Sequence, residues 1–183
     1  MSRLFNTGSP GGATDTPMLT THDLTCGVFV RGLTGLRAML HKAEEHASIQ
    51  GRDPRSLLTA RLAGDMVDLA TQVHWAASPQ LAIARLLGDA SPPPPAPDVT
   101  RFDELHARID DALAYLDGVD PGALDAGLAR TIELPARGGP RVYRGDEFVT
   151  RFALPNFYFH LAMAYAILRH EGVPLQKGDF MGG

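Results

Sequence analysis

Asn156 and His160 stand four residues apart in Pro155-Asn156-Phe157-Tyr158-Phe159-His160, at the head of the apolar run "LAMAYAIL". Spacing of four places both side chains on one face of a helix, and Ala164 and Ile167 continue that face. His74 is the nearest imidazole to meet them across a helix interface, with Trp75 beside it as a wall. Three chemistries fit this set. As metal ligands, His74, Asn156 and His160 would supply two imidazoles and a carboxamide, and a neutral amide oxygen is a weaker zinc donor than imidazole, thiolate or carboxylate. As a metal-free ligand pocket, Asn156 would orient a polar group, His160 would exchange a hydrogen bond, and apolar neighbours would shape the cavity. As a structural network, the two would satisfy each other, because a buried unpaired donor or acceptor costs about 1–3 kcal/mol. For catalysis, His160 is the general acid or base by its ordinary pKa near 6.5, and Asn156 the group to polarise a carbonyl or hold an oxyanion. No nucleophile stands out.

The other reactive residues carry less. Cys26 lies near the start of a helix, where a dipole lowers a thiol pKa, or is a small inert core residue. His41 and His46 stand among Lys42, Glu44 and Glu45 on an expected solvated face, with His46 within reach of the pocket mouth. His22 and His106 read as surface or capping groups, and His170 suits a helix C-terminus. Together they form no metal-spaced cluster. Arg130, Arg137, Arg141 and Arg144 around one short segment would attract an acidic ligand, with Glu133 and Asp146 opposing them.

Four helical segments must position these groups. Thr20 and Asp23 have capping-box spacing for a helix from about His22 to Ser48, whose inward stripe is Phe29, Leu33, Leu36, Leu40, Ala43 and Ala47. Gly27, Gly32 and Gly35 on it suggest a neighbour in close approach. Asp53-Pro54 starts a short helix to Leu62, and a longer helical region follows from Asp65 to Leu87. Pro79 should break it and free the carbonyl of residue 75 for a water or ligand. Thr100 and Asp103 suggest a cap for a third helix ending at Gly118, with Leu105, Ile109, Leu113 and Leu116 buried. Two strand-like runs around Arg137-Gly138-Gly139-Pro140 predict a hairpin or irregular insert over 129–145. Asp146 then caps a helix to Leu154, Pro155 kinks or restarts it, and the last helix ends at Gly172. The following tail should pack at its beginning and loosen at its end. Only mutual packing can bury these stripes, which predicts an all-α protein: an up-down four-helix bundle, with an irregular helical domain as the competing architecture.

Residues 1–17, rich in Gly, Ser, Thr and Pro, read as a flexible tail before a single domain over 18–183, and the prolines of 91–98 as a stiff connector within it. A chain of 183 residues suffices for one sizeable core. A net charge of -4 gives no global attraction to nucleic acid or anionic lipid. No secretory leader or bilayer-spanning segment is expected, and a lone cysteine suits the reducing cytoplasm.

The stretches "FVRGLTGLRAMLHKAEEHA", "LLTARLAGDMVDLATQV", "RFALPNFYFHLAMAYAILRHEGVPL" and "KGDF" resemble the successive signatures of DUF1993, a family of unknown function in the DinB-like or YfiT-like helix-bundle superfamily. The resemblance covers nearly everything from Met18 onward. It implies a DinB-like bundle, a homodimer and, as in many superfamily members, three histidines holding a divalent metal such as Zn or Ni for transferase, isomerase or hydrolase chemistry. In that pattern Asn156 takes the first place of a His-x-x-x-His pair, His160 the second, and His74 is nearest to the third ligand. The set is therefore degenerate. No cofactor is expected from the residues themselves, and the function expected is a structural polar site or small-molecule binding without strong metal coordination.

Overall fold

The computed structural model describes residues 19–89 and 98–182, so the expected tail and nearly all of the proline connector lie outside the described residues. The chain is predominantly helical, with one two-stranded hairpin before the last long helix. Helix α1 (Val28–Ile49) is preceded without a break by a π-helical turn over Asp23–Gly27. Thr20 and Asp23 cap this entry reciprocally: the Asp23 carboxylate accepts from the Thr20 backbone N–H at 3.0 Å, and Thr20 Oγ1 accepts from the Asp23 N–H at 3.0 Å.

Short α2 (Arg55–Leu58) stops before Leu62, and the next helix begins at Leu69 rather than Asp65, where the Asp68 carboxylate accepts the Thr71 N–H at 3.0 Å. The second helical region is split as expected into α3 (Leu69–Ala76) and α4 (Gln80–Leu87) at Pro79. The carbonyl of residue 75 is not left waiting for a ligand, however. Ser78 N–H donates to the Trp75 carbonyl at 3.3 Å, and Ser78 Oγ to the His74 carbonyl at 2.7 Å.

Helix α5 (Phe102–Asp117) lacks the expected Thr100–Asp103 box. Asp103 instead bonds the Arg101 guanidinium at 2.8 Å, and Thr100 reaches Glu104. The "DPG" segment opens α6 (Pro121–Gly127), because Asp120 accepts the Gly122 N–H at 3.0 Å and Pro121 stands at the first turn, where its missing N–H costs nothing.

Strands β1 (Thr131–Leu134) and β2 (Arg141–Arg144) pair antiparallel from Thr131 opposite Arg144 to Leu134 opposite Arg141. Gly138 and Gly139 between them take φ of 92° and 117°, open only to glycine at little cost. Helix α7 (Gly145–Phe148) has Arg144 in the cap position, and Asp146 lies inside the first turn rather than capping it. α7 runs through a π-helical turn over Val149–Ala153 straight into α8 (Leu154–His170). Pro155 therefore neither starts a new helix nor ends one. It has no N–H to give, and the widened turn before it accommodates the lost bond within a continuous helix.

The last residues form α9 (Lys177–Met181), which folds back on α1 and α8: Lys42 Nζ of α1 meets Asp179 at 2.5 Å, and Tyr165 of α8 packs edge to face on Phe180. The core is lined by the predicted α1 stripe, by Leu105, Ile109 and Leu116 of α5, and by Phe157, Leu161 and Ala164 of α8. Gly32 is where α1 needs no side chain. A Cβ there would lie 2.5 Å from the Phe157 ring, so its absence lets α8 seat Phe157 beside Phe29, ring centres 5.0 Å apart.

Candidate functional site

The polar centre is assembled where α3 packs along α8. Gln72, 1% exposed on the inward face of α3, accepts from His160 Nδ1 at 2.8 Å. With the amide presenting its oxygen, Nδ1 carries the proton and Nε2 carries a lone pair with no partner among the described residues. Burial pushes the His160 pKa down, so the ring is neutral at neutral pH and Nε2 serves as an acceptor. Gln72 is the residue missed from sequence. Its signal was present, a polar side chain at stripe spacing between Leu69 and Ala76, three and four residues away.

His74 is only 2% exposed, and neither ring nitrogen has a partner among the described residues. Its pKa falls to about 4, through burial first, then the positive charge of Arg108 and the neighbouring His160. The Trp75 ring stands against both imidazoles, with centres 4.8 Å from His74 and 6.5 Å from His160. Asn156 is exposed at the first turns of α8, and its amide makes no hydrogen bond among the described residues. Asn156 and His160 thus share a border of one hollow, while His74 lies behind it in the core.

That hollow has a volume of about 460 Å³ and lies between α3, α4, the hairpin and the helix through 145–170. Phe29, Trp75, Phe148, Phe152 and Phe157 wall it with rings, Pro79 and Leu134 close its sides, and Asn156, His160, Arg85 and Arg141 bring polarity. Arg141 makes no ion pair among the described residues, whereas Arg144 is held by Asp146. The hairpin therefore brings one of the four predicted arginines to the cavity. The π-helical turn lies along the same wall, at Phe152 and Ala153.

A divalent metal does not fit His74, Asn156 and His160. The Asn156 amide is neutral and exposed, and His74 sits behind the hollow, where burial first and the Arg108 charge second already disfavour positive charge. Among the described residues no carboxylate joins them to offset a cation.

A different set of groups does converge. His41 and Glu44 of α1 and His106 of α5 bring donor atoms within 4.8 Å of one another. The expectation that the histidines form no such cluster is corrected here, and His106 is half-buried rather than a surface cap. α1 and α5 run antiparallel at this point, so residues distant in sequence meet, and Arg37 and Asp110 clasp the same helices at 2.8 Å one turn away. His46 is corrected too: it lies near Gly172, where α8 ends, far from the pocket mouth. Cys26 is buried, and burial raises its thiol pKa, which makes it an inert core residue.

Fold and pocket define a helical-bundle protein with a hairpin inserted ahead of its last long helix. The model of the family DUF1993, a domain of unknown function, matches residues 21–181, and the chain belongs to that family. It is similar to the crystal structure of a DinB family member protein from Shewanella denitrificans, at 36% identity and a TM-score of 0.81, over 88% of this chain and 92% of that one. No curated protein matches the chain. No helix among the described residues is long and apolar enough to cross a membrane.

Proposed function

We propose that the chain binds a small, largely apolar molecule with an acidic or hydrogen-bonding head in the pocket beside His160, without strong metal coordination. The observation that carries this reading is a ring-walled cavity of about 460 Å³ at which three polar groups, His160 Nε2, the Asn156 amide and the Arg141 guanidinium, have no partner among the described residues. Few convergent polar groups in an apolar hollow orient a ligand, and the apolar walls supply its affinity. His160 then accepts a ligand hydroxyl or N–H, and Arg141 draws a carboxylate. Asn156 and His160 would be the groups for any proton transfer or carbonyl polarisation on that ligand, while the hydroxyl in the lining, Ser78 Oγ, donates to the His74 carbonyl.

Trp75, the only tryptophan of the chain, reports on this site directly. Titrating aromatic and aliphatic carboxylates should give a saturable change in its emission, weakened at least tenfold by Arg141→Ala and abolished by Ala82→Phe, which fills the cavity. No saturable change with any such acid, or unchanged binding after the cavity is filled, would sink the reading.

The finer architecture we read is an up-down four-helix bundle in one domain over 18–183, with α1, the α3–α4 pair, α5 and the helix through 145–170 as its columns. The contiguous core and the antiparallel run of α1 against α5 support it. We also read a homodimer, because Tyr158 and Phe159, adjacent on α8, remain 45% and 53% exposed in the single chain. An unpaired buried thiol suits a cytoplasmic location.

A further inference from the structure

We propose that His41, Glu44 and His106 form a binding site for a divalent first-row cation that ties α1 to α5, separate from the small-molecule pocket. Glu44 Oε2 lies 2.8 Å from His106 Nε2 and 3.8 Å from His41 Nδ1, so two imidazole nitrogens from different helices address one carboxylate oxygen. Donors around a tetrahedral Zn²⁺ lie roughly 3.3–3.5 Å apart, from metal–ligand distances of about 2.0–2.2 Å. The spacings here bracket that value. Two imidazoles and one carboxylate are a donor set that zinc and neighbouring metals accept with coordination positions left for water.

The rearrangement needed is small and falls on the free side chain. The two imidazole rings are stacked, centres 4.1 Å apart and 16° from parallel, so one must tilt before both lone pairs point at a single ion. His41 is that ring, being 65% exposed, whereas His106 is 15% exposed and fixed. Buried Leu40, Ala43, Leu105 and Ile109 support the seam beneath, and the Arg37–Asp110 pair holds the helices together one turn along. His106 Nδ1 is buried without a partner among the described residues, and Nε2 is the nitrogen of that ring that meets Glu44. Phe29, the α1 residue in the pocket wall, lies twelve residues from His41, about 18 Å along the helix axis.

The test is calorimetric titration of ZnCl₂, with NiCl₂ alongside, into the full chain freed of tag and stripped of metal with chelator. Wild type should take up one equivalent with micromolar or tighter affinity. His41→Ala should lower that affinity at least tenfold while leaving the melting temperature of the metal-free protein unchanged, Glu44→Gln should lower it likewise, and His160→Ala should leave it as in wild type. Absence of micromolar uptake, full affinity in both the His41 and Glu44 variants, or loss of affinity in the His160 variant alone would overturn the proposal.

Discussion

Replacing His74 by leucine should stabilise the protein, and more so in acid. At pH 7.5 the imidazole is neutral whether the chain is folded or not, so only its burial matters. Two ring nitrogens without partners at 2% exposure impose a desolvation penalty that an apolar side chain of similar volume avoids, on the order of 1–3 kcal/mol. Acid adds a second effect. The folded-state pKa of about 4 lies below the ordinary 6.5, so as pH falls below 6.5 the unfolded chain takes up a proton that the folded chain refuses. Folding stability is full above pH 6.5 and is lost progressively down to about pH 4. Taking those two values, the loss at pH 5 is about 2 kcal/mol. Urea unfolding of wild type and His74→Leu at pH 7.5 and pH 5 measures both parts. The leucine variant should be the more stable at pH 7.5, and its advantage should widen by about 2 kcal/mol at pH 5. A gap that stays constant between the two pH values refutes the depressed pKa. A leucine variant less stable than wild type at pH 7.5 refutes the unpartnered nitrogens, since it would mean they are bonded in solution.

Gln72→Leu should strip His160 Nδ1 of its acceptor and lower stability by about 1–2 kcal/mol in urea unfolding, and an unchanged midpoint would show that the pair contributes nothing. Tyr158→Asp should convert a dimer to a monomer in sedimentation velocity without lowering the melting temperature of the monomer, because the ring is 45% exposed in the single chain. A wild-type chain that sediments as a monomer at high micromolar concentration would remove the dimer.

Helical periodicity was the legible part of this chain, because it expresses burial directly. The α1 stripe from Phe29 to Ala47 is buried at every predicted position, and the break at Pro79 occurs where a missing N–H requires it. Helix ends were less legible, because capping spacings compete for the same side chains. Thr20 and Asp23 do form a box, but Asp103 at the same interval is taken by the nearby Arg101, and Asp146 is likewise taken by Arg144. Pro155 shows a different limit. A proline in a helical pattern signals a lost bond, but whether the chain stops, bends or widens into a π-helical turn depends on what the neighbouring helix must reach, here Phe157 against Gly32.

The two polar sites separate what one helix can tell from what two must. Asn156 and His160 share a face because they are four apart, and spacing alone places them on one border of the pocket. It could not say how far α8 is rotated, and that rotation leaves Asn156 in solvent while His160 turns toward Gln72. The His41–Glu44–His106 cluster was hidden for the same reason. His41 and Glu44 carry a readable interval of three on α1, but His106 joins them only through the antiparallel pairing of α1 with α5, more than sixty residues apart in sequence. Charge content read one helix at a time makes each of these residues part of a solvated face. Polar groups at an inter-helix seam have their chemistry set by their partners across it, and the pair Arg37–Asp110 one turn away shows that this seam is fixed by polar contacts as well as by the leucines beneath.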